Sequence, residues 1–169
     1  MIQVGQSFPA VTVYEFNTIA TDTCPVGPTS FDTQSALADK KIVITGAPGA
    51  FTPACSDLQV PGYMAHFEDF KQLGINEIWC VAVNDAFVMG AWGKSLHTAG
   101  KIRMVADGAA ALTKALGLEL DLSAKGFGVR SQRFSMLVEN GRVVLLNLDA
   151  GVAFEKSTAE ILLSQIKAL

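Results

Sequence analysis

The sequence predicts an α/β fold, a central mixed β-sheet flanked by helices, and three observations carry that expectation. The runs Ile42-Val43-Ile44-Thr45 and Ile78-Trp79-Cys80-Val81-Ala82-Val83 are short, β-branched or almost wholly apolar, as strands covered on both faces are. Each is followed by residues that start helices, Pro53 after the first and Asn84-Asp85 after the second. Near the C-terminal end, Asn140-Gly141 separates two further apolar runs, a strong hairpin signal, so the strands do not all run the same way. At 169 residues, 50% hydrophobic and 17% charged, the chain suits one domain, residues 1–169, with a substantial core.

In chain order, residues 11–16 alternate like a strand, and residues 17–31, rich in Thr, Pro and Gly, form a loop or loose hairpin. Ser35 is placed to cap a short helical turn through Ala38. Residues 41–46 make the next strand, which Gly46, Pro48 and Gly49 break into a tight loop. A helix then runs from Pro53 towards Leu73. Pro61-Gly62 bends or restarts it, because a proline ring cannot continue the hydrogen-bond ladder, and Gly74 stops it. The strand 78–83 leads to a helix over 86–96 capped by Asp85. Residues 103–106 form another short strand, and Asp107 caps a helix through Leu116 that ends at Gly117. Residues 134–138 and 142–148 pair as the hairpin, and Ser157 or Thr158 caps a final helix to Leu169. Helix-connected strands followed by a hairpin and a terminal helix are the order of a thioredoxin-like layer.

Composition narrows the function classes. The net charge is −3 and no Lys/Arg-rich block occurs, so there is no electrostatic footprint for nucleic acid or for an anionic membrane. No stretch approaches the roughly 18–20 apolar residues of a membrane span. The opening Met1-Ile2-Gln3-Val4-Gly5 lacks the basic and apolar regions of a secretory signal, which points to the cytoplasm, or to an organelle after removal of a targeting segment. Three cysteines, Cys24, Cys55 and Cys80, are too few for a disulfide scaffold and lack the close pairs of a zinc site. At least one thiol is therefore free or pairs with another molecule.

The chemistry concentrates in Pro48-Gly49-Ala50-Phe51-Thr52-Pro53-Ala54-Cys55-Ser56. Pro53 suits a first helical turn, so Cys55 falls where backbone N–H groups lack partners and the helix dipole favours an anion such as a thiolate. Thr52 can reach the sulfur, or an oxygen beside it, and can also cap the helix. Pro48 and Pro53 stiffen the loop and shield it from water. The preceding Gly46-Ala47-Pro48-Gly49 only superficially suggests a phosphate loop: no Gly-Lys-Ser/Thr follows, and prolines remove the N–H donors that a phosphate needs.

This loop, followed by Pro61-Gly62-Tyr63, resembles the active-site signature of the type 5 (type II, atypical) peroxiredoxins. Val83-Asn84-Asp85-Ala86-Phe87-Val88-Met89 with Ala91-Trp92-Gly93, and Arg133-Phe134-Ser135-Met136, are similar to that family in order and spacing, so the resemblance covers nearly the whole chain. It implies a thioredoxin-like homodimer that reduces hydrogen peroxide and organic hydroperoxides with a cysteine, with no metal or organic cofactor. By the same resemblance Cys55 is the peroxidatic nucleophile, Thr52 its hydroxyl partner, Pro48 the shield and Arg133 the cation beside the sulfur. Arg130 is the rival cation, set aside because Arg133 immediately precedes Phe-Ser-Met.

Two departures from the family pattern stand out. Residues 147–169 hold no second cysteine to resolve a sulfenic acid, which points to glutathione with glutaredoxin, or to thioredoxin, as the reductant. Gln59 stands where a histidine is common, a change that bears on local packing or on contact with the reductant.

The other candidates have plainer expectations. Cys80 is an inert core thiol, and Cys24 a more accessible one, either a bystander or a disulfide partner. His66 and His97 serve surface or packing roles. The competing functional class is a redox sensor that forms mixed disulfides through the same cysteine without continuous turnover.

Overall fold

The structure, a computed structural model, describes residues 1–16, 27–151 and 153–169. Cys24 and most of the expected 17–31 loop lie outside the described residues. Strands β1 (Thr12–Glu15) and β2 (Thr29–Asp32) pair antiparallel as the two arms of that hairpin. Helix α1 (Thr33–Leu37) leads to β3 (Lys41–Ala47), a π-turn over Cys55–Gln59, α2 (Val60–Ala65) and α3 (Phe67–Gln72). Then come β4 (Glu77–Ala82), α4 (Ala86–Ser95), β5 (Ile102–Ala106), α5 (Ala111–Leu116), β6 (Glu119–Asp121) and β7 (Val129–Ser131). The chain ends in β8 (Phe134–Glu139), β9 (Arg142–Leu148) and α6 (Ala159–Lys167).

Among the described residues, seven strands form one sheet in the order β2-β1-β5-β4-β3-β8-β9. β3 pairs parallel with β4 and antiparallel with β8, and β4 pairs parallel with β5, which makes the sheet mixed as expected. The alternation within β3 feeds two cores. Ile42 and Ile44 join Trp79, Leu112 and Met136 on one face, while Val43 joins Tyr63, Phe70, Trp92 and Leu162 on the other. Each such side chain, fully removed from water, contributes about 1.5–3 kcal/mol. The β1–β5 ladder is short, with the single pair Tyr14↔Ala106, and Arg103 reinforces it with a two-pronged bond to Glu15 at 2.7 and 2.9 Å.

Asn140 and Gly141, at φ 46° and 71°, make the tight turn between β8 and β9, the left-handed pair that such a hairpin requires. β8 and β9 were thus legible from the sequence. β6 and β7 were not, because Glu119-Leu120-Asp121 and Val129-Arg130-Ser131 are three-residue strands, shorter than the run of four or more residues that a strand pattern needs.

Several ends differ from the sequence expectation. The cap of α1 is Asp32, which accepts from the Ser35 N–H at 2.9 Å, so Ser35 is the donor in that cap. Asp107 acts at longer range than a cap: α5 begins at Ala111, and the Asp107 carboxylate reaches over the turn to the N–H groups of Leu112 (3.0 Å) and Thr113 (2.8 Å). Of the alternatives before α6, Thr158 is the cap, while Ser157 turns its hydroxyl to Asp149.

The long helix expected from Pro53 is interrupted at two places, and of the two alternatives for Pro61-Gly62 the structure takes the restart, not the bend. It widens into the π-turn at Cys55, where the Val60 N–H bonds the Cys55 carbonyl, and Pro61 then sits in the first turn of α2, where its missing N–H costs nothing. The second break is at His66 (φ −97°, ψ 13°), whose Nδ1 lies 2.8 Å from Asp69 Oδ2.

Candidate active site

β3 ends at Ala47 in the middle of the sheet, and the loop that follows is fixed from several sides. The Ala50 N–H donates to Asn84 Oδ1 (2.9 Å), which ties the loop to the turn after β4. Phe51 takes a left-handed backbone (φ 61°), uncommon for a bulky residue and a strained point in the loop. Thr52 turns its hydroxyl inward onto the Gly49 carbonyl (2.8 Å) and accepts the Ser56 N–H on its own carbonyl (2.9 Å). It neither bonds the sulfur nor caps the helix with its side chain. Pro48 is half-buried, and Pro53 is exposed.

Cys55 begins the π-turn with 0% exposure. Arg133, immediately before β8, brings Nη1 to 3.4 Å from Cys55 Sγ, and the same nitrogen donates to Gln59 Oε1. Of the two candidate arginines, Arg133 is therefore the one at the sulfur. Arg130 lies behind the loop: its Nε donates to the Phe127 carbonyl (2.9 Å), and a methyl group added at Gly49 would sit 3.1 Å from its Nη1.

Gln59 answers the question that its identity raised. It is fully buried, which rules out direct contact with a reductant in this conformation. Its amide NH2 donates to Thr45 Oγ1 (2.6 Å) and to the Gly46 carbonyl (3.0 Å), while its oxygen receives Arg133. The glutamine thus bolts the guanidinium to the end of β3, a role that spacing alone could not reveal. Gly46 permits the same geometry from the other side, since a Cβ there would lie 2.0 Å from the Phe134 ring, next to Arg133.

Among the described residues no carboxylate lies within salt-bridge distance of Arg133, and its buried Nε has no hydrogen-bond partner. The guanidinium therefore brings one nitrogen to the sulfur and keeps a second, Nε, buried without a partner. Cys80 is buried in β4, and burial, aided by the neighbouring Cys55, pushes its thiol well above the usual range despite the opposing pull of Arg133. His66 bridges to Asp69 and, at 3.4 Å, to Glu160, and His97 is exposed, so neither belongs to the site. No group of His, Cys, Asp and Glu among the described residues is arranged to hold a metal ion.

Comparison with known proteins bears on this arrangement directly. The redoxin family matches residues 3–163. Peroxiredoxin-2C of Arabidopsis thaliana is 47% identical over 132 residues, covering 78% of this chain and 82% of that protein. Among solved structures, reduced Prx3 from Vibrio vulnificus in complex with hydrogen peroxide superposes with a TM-score of 0.89 at 42% identity, covering 98% of this chain and 99% of that one. A Burkholderia cenocepacia protein provisionally named a thioredoxin reductase gives 0.93 at 52% identity, covering 97% of both chains. Helices on both faces of a mixed sheet, and a cysteine met by a buried arginine beyond the end of the interior strand β3, thus accompany a match along almost the whole sequence: the chain belongs to the redoxin family and, within it, to the peroxiredoxins, thiol-dependent peroxidases of thioredoxin-like fold.

Proposed function

We propose that Cys55 is the peroxidatic nucleophile, with Arg133 and Thr52 holding the peroxide and Pro48 shielding the loop, and that the chain is a type 5 (type II) peroxiredoxin of one domain. The observation that carries this reading is the approach of Arg133 to 3.4 Å from the sulfur, with a second guanidinium nitrogen buried and unpartnered. In the first step the Cys55 thiolate attacks one peroxide oxygen. The S–O bond forms and the O–O bond breaks; the proton of the attacked oxygen passes to the departing oxygen, which leaves as water or an alcohol, and the sulfenate left on sulfur takes a proton from solvent. Sulfur loses two electrons and becomes a sulfenic acid.

For thiols in general, a lower pKa raises the thiolate fraction but lowers its nucleophilicity by a comparable factor, so acidity alone does not supply the rate. The rate comes from donors that align the peroxide and stabilise charge on the leaving oxygen. Arg133 Nε and the backbone N–H groups of Ala54 and Cys55 are available for this. Thr52 joins them if its hydroxyl rotates from Gly49 towards bound peroxide.

Glutathione with glutaredoxin, or thioredoxin, then reduces the sulfenic acid: one thiol condenses with it to a disulfide and releases water, and a second thiol restores Cys55. With Cys55 at 0% exposure, a protein thiol reaches it only after the first turn opens, and the π-turn together with left-handed Phe51 makes that turn the weak part of the helix. Phe51 and Leu58, which flank Cys55, are 55% and 57% exposed, and this apolar rim supports a homodimer contact beside the site. Among the described residues no helix is long and apolar enough to cross a membrane, and relatives named chloroplastic and mitochondrial share the sequence pattern, so the fold itself does not fix a compartment.

The test is steady-state turnover of hydrogen peroxide and an organic hydroperoxide with each reductant in turn. Cys55→Ser is expected to abolish turnover with all of them. Wild-type turnover by that variant would reject the nucleophile assignment, and a single stoichiometric reaction in the wild type would favour a sensor over a peroxidase.

A further inference from the structure

Arg133 is a cation at 3% exposure, with no carboxylate among the described residues to balance it. Leaving a buried charge without a partner is costly, so the groups that do face it matter. Three are in place: Cys55 Sγ, the Gln59 oxygen and the ring of Phe154, whose centroid is 5.3 Å from the guanidinium carbon. Once the thiolate has become a neutral sulfenic acid, only the glutamine and the ring remain. An aromatic face carries partial negative charge and attracts a desolvated guanidinium.

Phe154 is itself held firmly. Asp149, the residue after β9, donates its N–H to the Arg133 carbonyl (3.0 Å). Its carboxylate accepts from the N–H groups of Glu155 (3.0 Å), Lys156 (2.7 Å) and Ser157 (3.2 Å) and from the Ser157 hydroxyl. Tyr63, on the helix that continues from Cys55, donates its hydroxyl to the Ser157 carbonyl (2.8 Å). Residues 153–157 are therefore fastened, through Asp149, to Arg133 just before β8 and, through Tyr63, to the helix that follows the Cys55 turn. Phe154 is half-buried, whereas Arg133 is 3% exposed, so the ring is one of the groups packed against a charge almost entirely removed from water.

We propose that Phe154 is a positioning residue for the peroxidase reaction: its ring face keeps the Arg133 guanidinium against Cys55, including in the half of the cycle when the sulfur carries no charge. The proposal rests on the reading of Arg133 as the peroxide-binding cation. It is tested with the full chain by measuring the second-order rate of reaction with hydrogen peroxide in four variants, Phe154→Leu, Phe154→Tyr, Arg133→Gln and the double variant Phe154→Leu/Arg133→Gln. Leucine keeps the apolar bulk and removes the π face, so it is expected to slow the reaction about five- to tenfold, whereas tyrosine restores the rate to within about twofold of wild type. In the Arg133→Gln background, Phe154→Leu is expected to cost nothing further, because the ring acts only through the arginine.

A wild-type rate for Phe154→Leu, failure of tyrosine to rescue it, or independent losses that multiply in the double variant would each overturn the proposal. A wild-type rate for Arg133→Gln would overturn the underlying reading as well. Loss in that variant with no effect of Phe154→Leu would overturn the positioning role alone.

Discussion

Arg133 Nη1 lies 3.4 Å from Cys55 Sγ although 78 positions separate the two residues in the chain. β3 and β8 are antiparallel neighbours with Gly46 opposite Phe134, so the residue before β8 and the loop after β3 emerge at the same end of the sheet. The sheet thus delivers a cation to a helix start without any sequence motif that joins them.

Removing that cation is expected to reduce the second-order rate with hydrogen peroxide by about 10²- to 10³-fold, the usual consequence of losing a donor aimed at developing charge. Arg133→Gln is the informative variant, since it keeps a polar side chain. Stopped-flow measurement of peroxide consumption checks it, with a thermal melt to confirm that the fold persists.

Gln59→His should confer a new pH dependence. The wild-type amide does not titrate, whereas an imidazole there gains a proton at low pH and then repels Arg133; burial and the neighbouring guanidinium both hold its pKa below the ordinary value of about 6.5. The expected result is an acid limb in the rate profile, displaced to well below about pH 6.5, that is absent from the wild type. Gln59→Leu, by contrast, should lower both rate and stability at every pH, with a stability cost of about 1–3 kcal/mol from the buried polar groups left unpaired. Rate profiles and urea denaturation separate the two variants.

Cys80 is expected to take no part in the cycle. Burial first, and the charge of Cys55 second, push its thiol up, so it remains protonated and unreactive at neutral pH. Peptide mapping after one equivalent of hydrogen peroxide should find added oxygen on Cys55 and none on Cys80, and Cys80→Ala should keep turnover within about twofold of wild type.

Gly46→Ala should destabilise the protein. The added Cβ would lie 2.0 Å from the Phe134 ring, an overlap that overpacks a β3–β8 contact and displaces the residue beside Arg133. A loss of about 1–3 kcal/mol is expected, read as a fall in Tm of roughly 3–10 °C for a chain of this size. Gly46→Ala/Phe134→Leu should recover part of it.

The Asp149 carboxyl gives an acid dependence of stability whose sign is fixed. Burial works against its ionisation, but the hydrogen bonds from the Ser157 hydroxyl and from the N–H groups of Lys156, Glu155 and Ser157 outweigh burial and hold its pKa below the ordinary range. The unfolded carboxyl titrates near about 3.9, so the stabilisation is complete above that value and is lost as pH falls through the lower, folded value. Asp149→Asn should therefore be less stable than wild type at neutral pH and should show a shallower loss of stability below about pH 4. Urea denaturation across that range measures both.

The sequence by itself determined the parts that rest on local chemistry. Apolar and β-branched runs marked β3, β4, β8 and β9, Asn140-Gly141 set the hairpin, Asp85 capped α4, and the order of these elements gave the thioredoxin-like class. The placement of Cys55 in a first helical turn was legible because Pro53 and the glycines before it constrain the backbone over only a few residues. The arginine was narrowed to two candidates, and only the resemblance to a family chose between them.

Tertiary structure decided what depends on distant residues meeting. It put Arg133 at the sulfur and Arg130 behind Gly49, because β7 and β8 diverge after Ser131 into different sheets. It turned the Thr52 hydroxyl onto the Gly49 carbonyl, and it converted Gln59 from a departure in a motif into the link between β3 and the guanidinium. It also closed residues 153–157 over the site through Asp149 and Tyr63. None of these contacts has a spacing rule, since side-chain reach is short and the partners are brought together only when the sheet is assembled.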